Sequence, residues 1–344
     1  MNGGKSFAAK AARVLAAPVP AWIYSVVFFF SAFSVAQASA PPDVLFEQSS
    51  LDGVEGKGNY LVPLAEHRPP PTGVFHMILW QPNPSRSDGM LVPTGWRAGD
   101  KTGFYPSDPV DRHQGGFRDA PGSSVLQIDG DTVGAYINSD DLPGGSNGYK
   151  MMMTPETSVA PEAQVHPFAQ SGRAILVSLE LQVPTAVDAH HAGSTTYVSA
   201  DLLFVDRSRG TKISYGCNLF FNGHPHRELG GHVRLDEDSH NMMVNSVVGM
   251  DNAWLITQPG SAISQSAPWR GWKTFRFAIT EKSFIAALSA YNQQVAVVSM
   301  NPGDYAFAKF HLNAELNYRT SAAELGWSMR HARVVVEDAA LVSQ

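Results

Sequence analysis

The chain has 344 residues, of which 44% are hydrophobic and only 16% are charged. Its 25 basic and 31 acidic residues give a formal net charge of −6 at pH 7. An acidic chain without a basic run argues against nucleic acid and anionic membrane surfaces as partners. The sequence has no phosphate loop, dinucleotide fingerprint or Gly-x-Ser-x-Gly elbow, which argues against nucleotide-dependent and serine-hydrolase functions.

The N-terminus has the layout of a bacterial-type export signal. Three basic residues precede an apolar run over residues 21–35, and Ala36 and Ala38 supply the small residues of a cleavage site. We therefore predict a signal peptide over residues 1–38 and a secreted or periplasmic protein, which keeps 22 basic and 31 acidic residues. The alternative is an uncleaved membrane anchor, because residues 14–40 carry no charge and a span needs roughly 20 residues.

Residues 39–172 form a loop-rich part in which Pro-rich and Gly-rich segments separate short apolar runs. Its clearest element is the stretch 123–138, where two predicted strands flank a turn that contains Asp129 and Asp131, a good hairpin signal. We expect this part to complete the fold of the later residues or to form a subdomain. The acidic turns here and at residues 140–141 are simple turns or sites for a structural Ca²⁺, and no other cofactor is expected.

From residue 173 onward, apolar and polar residues alternate along a series of predicted strands. Successive side chains of a strand point to opposite faces, so each strand has one apolar and one polar face. The strands are predicted over residues 174–183, 195–207, 212–221, 242–248, 253–257, 272–280, 310–319 and 325–337. We expect residues 173–344 to form the regular core of the fold, with the last two strands joined as a hairpin across residues 320–324.

One helix interrupts these strands. Thr280 is a suitable N-cap for a helix over residues 281–292. Apolar residues recur there at helical spacing and predict a face packed on the core, namely Phe284, Ala287, Leu288 and Tyr291. Many short-spaced strands with one helix and no βαβ alternation predict an all-β fold, a two-sheet antiparallel β-sandwich of jelly-roll type.

The single cysteine, Cys217, lies in the apolar phase of its strand, and we expect a buried thiol without a nucleophilic role. The apolar phase of that strand comprises Ile213, Tyr215, Cys217, Leu219 and Phe221. The loop over residues 222–240 contains four histidines, but their spacing matches no zinc motif. We therefore expect no metal site and predict that this loop overhangs a ligand groove.

The strand over residues 310–319 has an unusual polar face. It carries His311, Asn313, Glu315, Asn317 and Arg319. Imidazole, amide, carboxylate and guanidinium groups in one row are typical of a surface that binds a polar ligand, and a solvated sheet face is the competing interpretation. If the other long strands lie in the same sheet, they extend this face into a polar groove. Their contribution would be Ser178, Glu180, Gln182, Tyr197, Asp201, Asn218, Trp272 and Arg276.

Two carboxylates of this groove suggest a glycoside hydrolase. Such an enzyme needs two carboxyl groups about 5–5.5 Å apart for retention and roughly 6.5–9.5 Å apart for inversion. Glu180 and Glu315 are the predicted pair, with Asp201 as a third candidate. In this interpretation Arg276 or Arg319 would keep one carboxylate ionised.

A second constellation suggests a polysaccharide lyase. This reaction needs a base that removes the proton next to a uronate carboxylate, and a group that neutralises that carboxylate. His311 or Tyr197 could act as the base, and Asn313 or Arg319 could neutralise the substrate. The acidic chain as a whole does not attract a polyuronate, so local cations would have to do so.

The order of elements over residues 272–337 resembles the closing section of concanavalin-like jelly-roll glucanases and lyases, in particular the family 12 type of glycoside hydrolase. An aromatic-rich strand that starts with Trp272, a lone helix, a strand with an outward Glu315 and a terminal strand follow one another. The resemblance covers about a fifth of the chain and implies an acid/base role for Glu315. That family's nucleophile strand has no counterpart here, so Glu180 takes its place.

We therefore expect an exported carbohydrate-active protein that binds a polysaccharide or oligosaccharide in a polar groove and cleaves it as a glycoside hydrolase. A lyase and a non-catalytic lectin-like or surface protein are the alternatives. The expected catalytic residues are Glu315, Glu180 and His311. The expected substrate-binding residues are Asn313, Asn317, Arg319, Arg276, Trp272, Tyr197, Asp201 and Asn218. No nucleic acid or nucleotide is an expected partner, and a membrane is one only through an uncleaved anchor.

Overall fold

A computed structural model of the protein describes most of the chain after residue 163 and shorter stretches before it. The described residues are 43–48, 78–82, 91–93, 114–118, 124–129, 132–139, 147–153, 157–158, 164–187, 195–223, 231–235, 241–250, 253–294, 297–319 and 323–342. The predicted signal peptide lies outside them.

The described residues form seventeen strands and two α-helices. In chain order the strands are β1 Asp43–Glu47, β2 Ile78–Pro82, β3 Leu91–Pro93, β4 Gln114–Arg118, β5 Ser124–Asp129, β6 Thr132–Asn138, β7 Asn147–Met153, β8 Thr157–Ser158, β9 Arg173–Val187, β10 Thr195–Asp206, β11 Thr211–Gly223, β12 His232–Leu235, β13 Met242–Val247, β14 Ile256–Thr257, β15 Trp269–Thr280, β16 Tyr305–Arg319 and β17 Glu324–Asp338. The helices are α1 Glu281–Gln294 and α2 Ala339–Val342, and a short 3-10 helix covers Pro302–Asp304.

The strands make two sheets, which confirms the predicted β-sandwich. Sheet A has eight strands in the order β14-β15-β9-β17-β6-β5-β4, with β1 also paired to β17. Sheet B has nine strands in the order β12-β13-β11-β10-β16-β7-β2-β3, with β8 also paired to β16. Neighbouring strands run antiparallel, except that β11 and β13 run parallel.

One apolar core lies between the sheets, and the predicted alternation places its side chains. In β9 the inward residues are at most 1% exposed, namely Ile175, Val177, Leu179, Leu181 and Val183. In β16 the inward residues are fully buried, namely Phe310, Leu312, Ala314 and Leu316. Each large apolar side chain buried in this way contributes about 1.5–3 kcal/mol to folding.

The strands before residue 160 belong to both sheets. β5 and β6 form the predicted hairpin, with Asp129 opposite Thr132, and β6 continues sheet A next to β17. β7 pairs with β16 in sheet B. These strands therefore extend the same sandwich and do not make a sheet of their own.

The connection from β16 to β17 passes from one sheet to the other. β16 lies between β10 and β7 in sheet B, whereas β17 lies between β9 and β6 in sheet A. The hairpin predicted across residues 320–324 is therefore wrong. Both strands show the same alternation because each has one face on the shared core, and alternation does not reveal the neighbouring strand.

Helix α1 packs against the aromatic part of the core. The Thr280 hydroxyl accepts a hydrogen bond from the Ser283 amide at 3.1 Å, as predicted for the N-cap. The Phe284 ring lies 5.1 Å from the Phe204 ring and 5.4 Å from the Tyr305 ring. In the part of the chain that the structure describes, neither helix has the length and hydropathy needed to cross a bilayer.

Candidate functional site

Sheet B has a polar face directed away from the apolar core. We define this polar face by Tyr197, Ser199, Asp201, Gly216, Asn218, Asn245, His311, Asn313 and Glu315. Most of its polar side chains are buried: Ser199 is 3% exposed, Asp201 4%, Asn313 6%, Glu315 6%, Asn218 8% and His311 9%. A polar strand face buried to this extent is not an ordinary solvated surface, because burial of polar groups costs free energy unless partners replace water.

The pairing of β10 with β16 arranges this face in three rows. Asp201 lies opposite His311, Ser199 opposite Asn313, and Tyr197 opposite Glu315. Side chains directly opposite each other in an antiparallel pair are within contact distance. β11 adds Asn218 beside Ser199. The predicted association of these residues on one surface is therefore present in the structure.

The first row holds an oriented histidine. Oδ2 of Asp201 lies 3.5 Å from Nε2 of His311, and the Ser199 hydroxyl donates to Oδ1 of Asp201 at 2.6 Å. The other ring nitrogen of His311, Nδ1, is buried and has no hydrogen-bond partner among the described residues. An imidazole with one nitrogen beside a carboxylate and the other without a partner among the described residues has the arrangement of a general base.

The next two rows add an amide and a hydrogen-bonded carboxylate. Oδ1 of Asn313 is buried and lacks a hydrogen-bond partner within the described ranges. The Tyr197 hydroxyl donates to Oε2 of Glu315. Buried polar atoms in folded proteins nearly always have partners. Two unpartnered groups at neighbouring positions of β16 therefore indicate a place where a ligand or water completes the hydrogen bonds.

Glu180, Trp272 and Arg276 do not belong to this polar face. Glu180 lies in β9 and the other two in β15, both of which are strands of sheet A. Glu180 alternates with the core residues Leu179 and Leu181, so it points away from the core on the far side of the sandwich. The expectation that all the polar strands share one sheet is wrong, and Ser178 and Gln182 also face outward from sheet A.

The pairing of Glu180 with Glu315 as catalytic carboxylates is therefore wrong. Stacked sheets lie about 10 Å apart, and these two side chains point away from each other across that distance. Hydrolases need at most about 9.5 Å between the two carboxyl groups.

Asp201, the third candidate, lies on the same face as Glu315 but does not replace Glu180. Tyr197 is opposite Glu315 and four residues from Asp201, which is about 13 Å along a strand. This is longer than the roughly 6.5–9.5 Å of an inverting pair.

Glu180 has a different set of partners on the outer face of sheet A. Its Oε2 accepts a hydrogen bond from Nε of Arg330 at 2.6 Å and lies 3.6 Å from Nδ1 of His331. The Arg330 guanidinium lies 4.3 Å from the centre of the Trp272 ring. Arg276 is exposed on the same face. These contacts describe a surface ion pair stacked on an aromatic ring.

Several predicted features lie at or beyond the limits of the described residues. Asn317 and Arg319 belong to β16, but their side chains are outside the described part. Apart from the backbone of Asp129, the acidic turns proposed for Ca²⁺ lie outside it as well. So do three of the four loop histidines, whereas His232 is described, in β12. Within the described residues, no group of three His, Cys, Asp or Glu side chains is placed to hold a metal ion.

Cys217 is fully buried in the core, as predicted. Burial raises the pKa of its thiol well above the ordinary value, and the negative charge of Asp201 raises it further. The thiolate form that acts as a nucleophile is therefore disfavoured.

Gly216 and Asn245 are members of the polar face that the sequence prediction missed. Asn245 alternates with the buried residues Met242, Val244 and Ser246, but its neighbour Gly216 has no side chain to signal a face. The pairing that brings them together is the parallel contact of β11 with β13. The alternation of Asn245 with its apolar neighbours was the one available signal.

No protein-family model matches the chain, and no curated protein matches it. Solved structures do match. The family 11 xylanase from Neocallimastix patriciarum is 13% identical, with 65% of this chain and 91% of the xylanase covered at a TM-score of 0.28. A cellulase derived from the Cel12A cellulase of Rhodothermus marinus is 12% identical, with 65% of this chain and 96% of the cellulase covered at a TM-score of 0.33.

The matches also include the adhesin domain of Epf from Streptococcus pyogenes. It is 9% identical, with 83% of this chain and 63% of the adhesin domain covered at a TM-score of 0.27. The matches include family 12 enzymes, whose layout the sequence resembles. The similarity is one of arrangement, and at these TM-scores it carries no argument about function.

Proposed function

We propose that the protein is an exported polysaccharide lyase that binds a uronic acid polymer along the polar face of sheet B. The observation that supports this proposal is the Asp201–His311 pair, in which a buried Nδ1 of His311 is left without a partner among the described residues. A lyase needs one base and does not need a second carboxylate at a fixed distance from the first. The wide separation of Glu180, Asp201 and Glu315 therefore disfavours hydrolysis but not elimination.

The proposed reaction is a β-elimination. Nδ1 of His311 takes the proton from C5 of the uronate, and the electrons of that C–H bond form the C4=C5 double bond. The bond from C4 to the glycosidic oxygen breaks, and the imidazolium returns the proton to that oxygen. The carboxylate of Asp201 orients the imidazole and stabilises its protonated form. No water and no further reactant is consumed.

Two neighbours of His311 on β16 suit the substrate carboxylate. Asn313 lies two residues further along the same face, about 6.7 Å away, and its amide nitrogen can donate to the uronate carboxylate. Lys309 lies two residues before His311, opposite Leu203, and adds a positive charge next to the anionic groups of this face. These local donors offset the acidic character of the chain as a whole.

The test is a product assay with the mature protein. We expect polymannuronate, polyguluronate or polygalacturonate to yield chains that absorb in the ultraviolet because of the new C4=C5 bond. His311→Ala should lower the rate at least about 100-fold. The matched control is Arg330→Ala, a cation of the opposite sheet, which should leave the rate unchanged.

Other outcomes contradict the proposal in distinct ways. New reducing ends without ultraviolet absorption would indicate hydrolysis. Saturable binding of a polymer without any product would indicate a lectin-like protein.

A further inference from the structure

The carboxylate of Asp201 in β10 is confined between the two neighbouring strands. Its Oδ2 lies 3.5 Å from Nε2 of His311 in β16, and its Oδ1 accepts a hydrogen bond from the Ser199 hydroxyl at 2.6 Å. On the side of β11 it lies opposite Gly216. Asp201 and Ser199 are both buried, so these contacts, rather than water, determine where the carboxylate lies.

The Ser199 hydroxyl donates along its own strand and not across to β16. The residue opposite Ser199 in β16 is Asn313, whose buried Oδ1 has no hydrogen-bond partner among the described residues. A hydroxyl turned toward Asn313 would satisfy that acceptor, but it would lose the hydrogen bond to Asp201. The bond to the charged acceptor is the stronger one, and it fixes Oδ1 of the carboxylate while Oδ2 faces His311.

Gly216 brings the backbone of β11 close to the same carboxylate. It is buried in the middle of a strand and is not among the glycines with positive φ, so its backbone conformation does not require glycine. An atom at its Cβ position would lie 3.1 Å from Oδ1 of Asp201 and 3.1 Å from Oδ1 of Asn245. Nδ2 of Asn245 in turn lies 3.0 Å from Nε2 of His232. A side chain at residue 216 would therefore press on two held side chains, and glycine there lets the carboxylate keep its place.

We infer that Ser199 and Gly216 are positioning residues, which fix the carboxylate of Asp201 and through it the ring proton of His311. This role rests on the proposed function, in which Nδ1 of His311 is the base. A neutral imidazole carries one proton, and the hydrogen bond made by one ring nitrogen decides which of the two nitrogens holds it. A carboxylate held next to Nε2 keeps the proton there and leaves Nδ1 bare. A carboxylate that turned away would let the proton move to Nδ1, where it would block the base.

Steady-state kinetics on the cleaved polymer tests both residues. Ser199→Ala removes the hydrogen bond to Oδ1 of Asp201 without adding volume, and Gly216→Ala adds a methyl group against the same atom. We expect each substitution to lower kcat about tenfold and to leave KM within about twofold. A loss confined to KM would overturn the inference, since the position of a base acts on turnover.

Two matched controls make the same chemical changes away from Asp201. Ser214→Ala removes a buried hydroxyl of β11, opposite Leu203. Gly134→Ala, in β6 of sheet A, adds a methyl group 3.1 Å from the Ser328 hydroxyl oxygen. We expect both controls to leave kcat unchanged. An equal loss in a control and in its partner variant would show a general packing effect and would overturn the positioning role.

The same substitutions on the Asp201→Asn background show whether they act through Asp201. The amide has no charge with which to stabilise protonated His311, so neither Ser199→Ala nor Gly216→Ala should lower kcat further by more than about twofold. A tenfold loss that persists on this background would mean that these residues act independently of Asp201, which contradicts the inference. Ser199→Ala decides the matter if Gly216→Ala does not fold.

Nitrogen-15 NMR of the imidazole rings tests the positioning apart from turnover. The signals of His311 are assigned by their loss in His311→Ala, and protonated and bare ring nitrogens differ in chemical shift. We expect the neutral ring of the parent to hold its proton on Nε2, and Ser199→Ala to give a mixture of the two tautomers. If the parent shows this tautomer and cleaves no polymer, the lyase proposal fails while the positioning stands. A proton on Nδ1 in the parent, or an unchanged tautomer in Ser199→Ala, would overturn the positioning.

Discussion

The outer faces of the two sheets carry similar polar and charged side chains, but these differ in burial and in hydrogen bonding. On sheet A, the side chains of Glu180 and Arg330 are 25% and 31% exposed and form an ion pair. On sheet B, the side chains of Asp201 and His311 are 6% and 11% exposed, and one nitrogen of the histidine has no partner within the described ranges. Charged and polar residues at outward positions thus mark a surface, whereas burial and incomplete hydrogen bonding within the described ranges mark a candidate site.

The energetic reason for this difference is the contact with water. A partly exposed ion pair such as Glu180–Arg330 keeps part of its hydration and contributes little to stability. A polar group in a buried row loses its hydration and is costly unless a partner is present. On sheet B, we propose that a bound ligand supplies this partner.

The largest expected difference between the two faces is in turnover. Asp201→Asn should lower kcat about 100-fold or more, because it removes the charge that stabilises protonated His311. KM should change only a few-fold, since the amide has nearly the same size and shape as the carboxylate. Steady-state kinetics on the cleaved polymer measures both constants, with Glu180→Gln as the control on sheet A. A loss confined to KM would contradict the role of Asp201 in orienting the base.

A smaller difference is expected in stability. Glu315→Ala removes a buried carboxylate that accepts a hydrogen bond from the Tyr197 hydroxyl, and we expect the free energy of unfolding to fall by about 1–3 kcal/mol. Glu180→Ala removes a partly exposed partner and should cost less than about 1 kcal/mol. Urea unfolding of both variants makes the comparison. Equal losses of unfolding free energy in the two variants would mean that the burial of Glu315 does not make its hydrogen bond more important for stability than the ion pair of Glu180.

The pH dependence of stability provides a third test within sheet B. Asp206, at the end of β10, is 1% exposed. Burial acts to raise the pKa of this carboxyl, but hydrogen bonds from Ser208 and Arg209 and the charge of Arg209 outweigh it, and the pKa is lowered below 3.8. Charged Asp206 therefore stabilises the fold above the unfolded pKa, and this contribution is lost as the pH falls through the lower, folded pKa.

We accordingly expect Asp206→Asn to reduce the free energy of unfolding at pH 7 by about 1–2 kcal/mol. It should also flatten the decline in stability below about pH 4, because the variant has no proton to take up at this position. Urea unfolding from pH 3 to pH 7 measures both effects. A decline as steep as in the parent would contradict the lowered pKa.

The smallest expected effect is the coupling across the ion pair of sheet A. A double-mutant cycle with Glu180→Gln and Arg330→Gln should give an interaction free energy of about 0.2–1 kcal/mol. The partial exposure of both side chains keeps it small. A coupling above about 2 kcal/mol would place this pair outside the range of surface ion pairs and would remove the contrast between the two faces.

The local features of the molecule could be predicted from the sequence. The alternation in β9 and β16 placed the buried residues correctly, because a strand exposes successive side chains to opposite sides. The cap at Thr280 and the hairpin of β5 and β6 depend on residues that are neighbours in the chain. Among the site residues, His311, Asn313 and Glu315 were found together because they lie on one face of a single strand.

The structure alone decided which strands are neighbours. Alternation shows that Glu180 and Glu315 both face away from the core, but a sandwich has two such outer faces, and the side depends on contacts far apart in the chain. The bulge in β11, opposite Val198 and Ser199, is another feature that the alternation did not reveal. At this bulge the consecutive residues Leu219 and Phe220 both lie in the core. The predicted alternation, which continued to Phe221, therefore stops at Leu219.

The sequence by itself thus determined the elements, their apolar faces and the polar row of β16. The tertiary structure decided that this row meets Asp201, Gly216 and Asn245, and that Glu180 lies on the opposite side of the core. The physical reason is that hydrophobic periodicity is a property of one strand, whereas a site is made by strand pairing. Pairing is set by the packing of the whole core and by the loops that cross between the sheets.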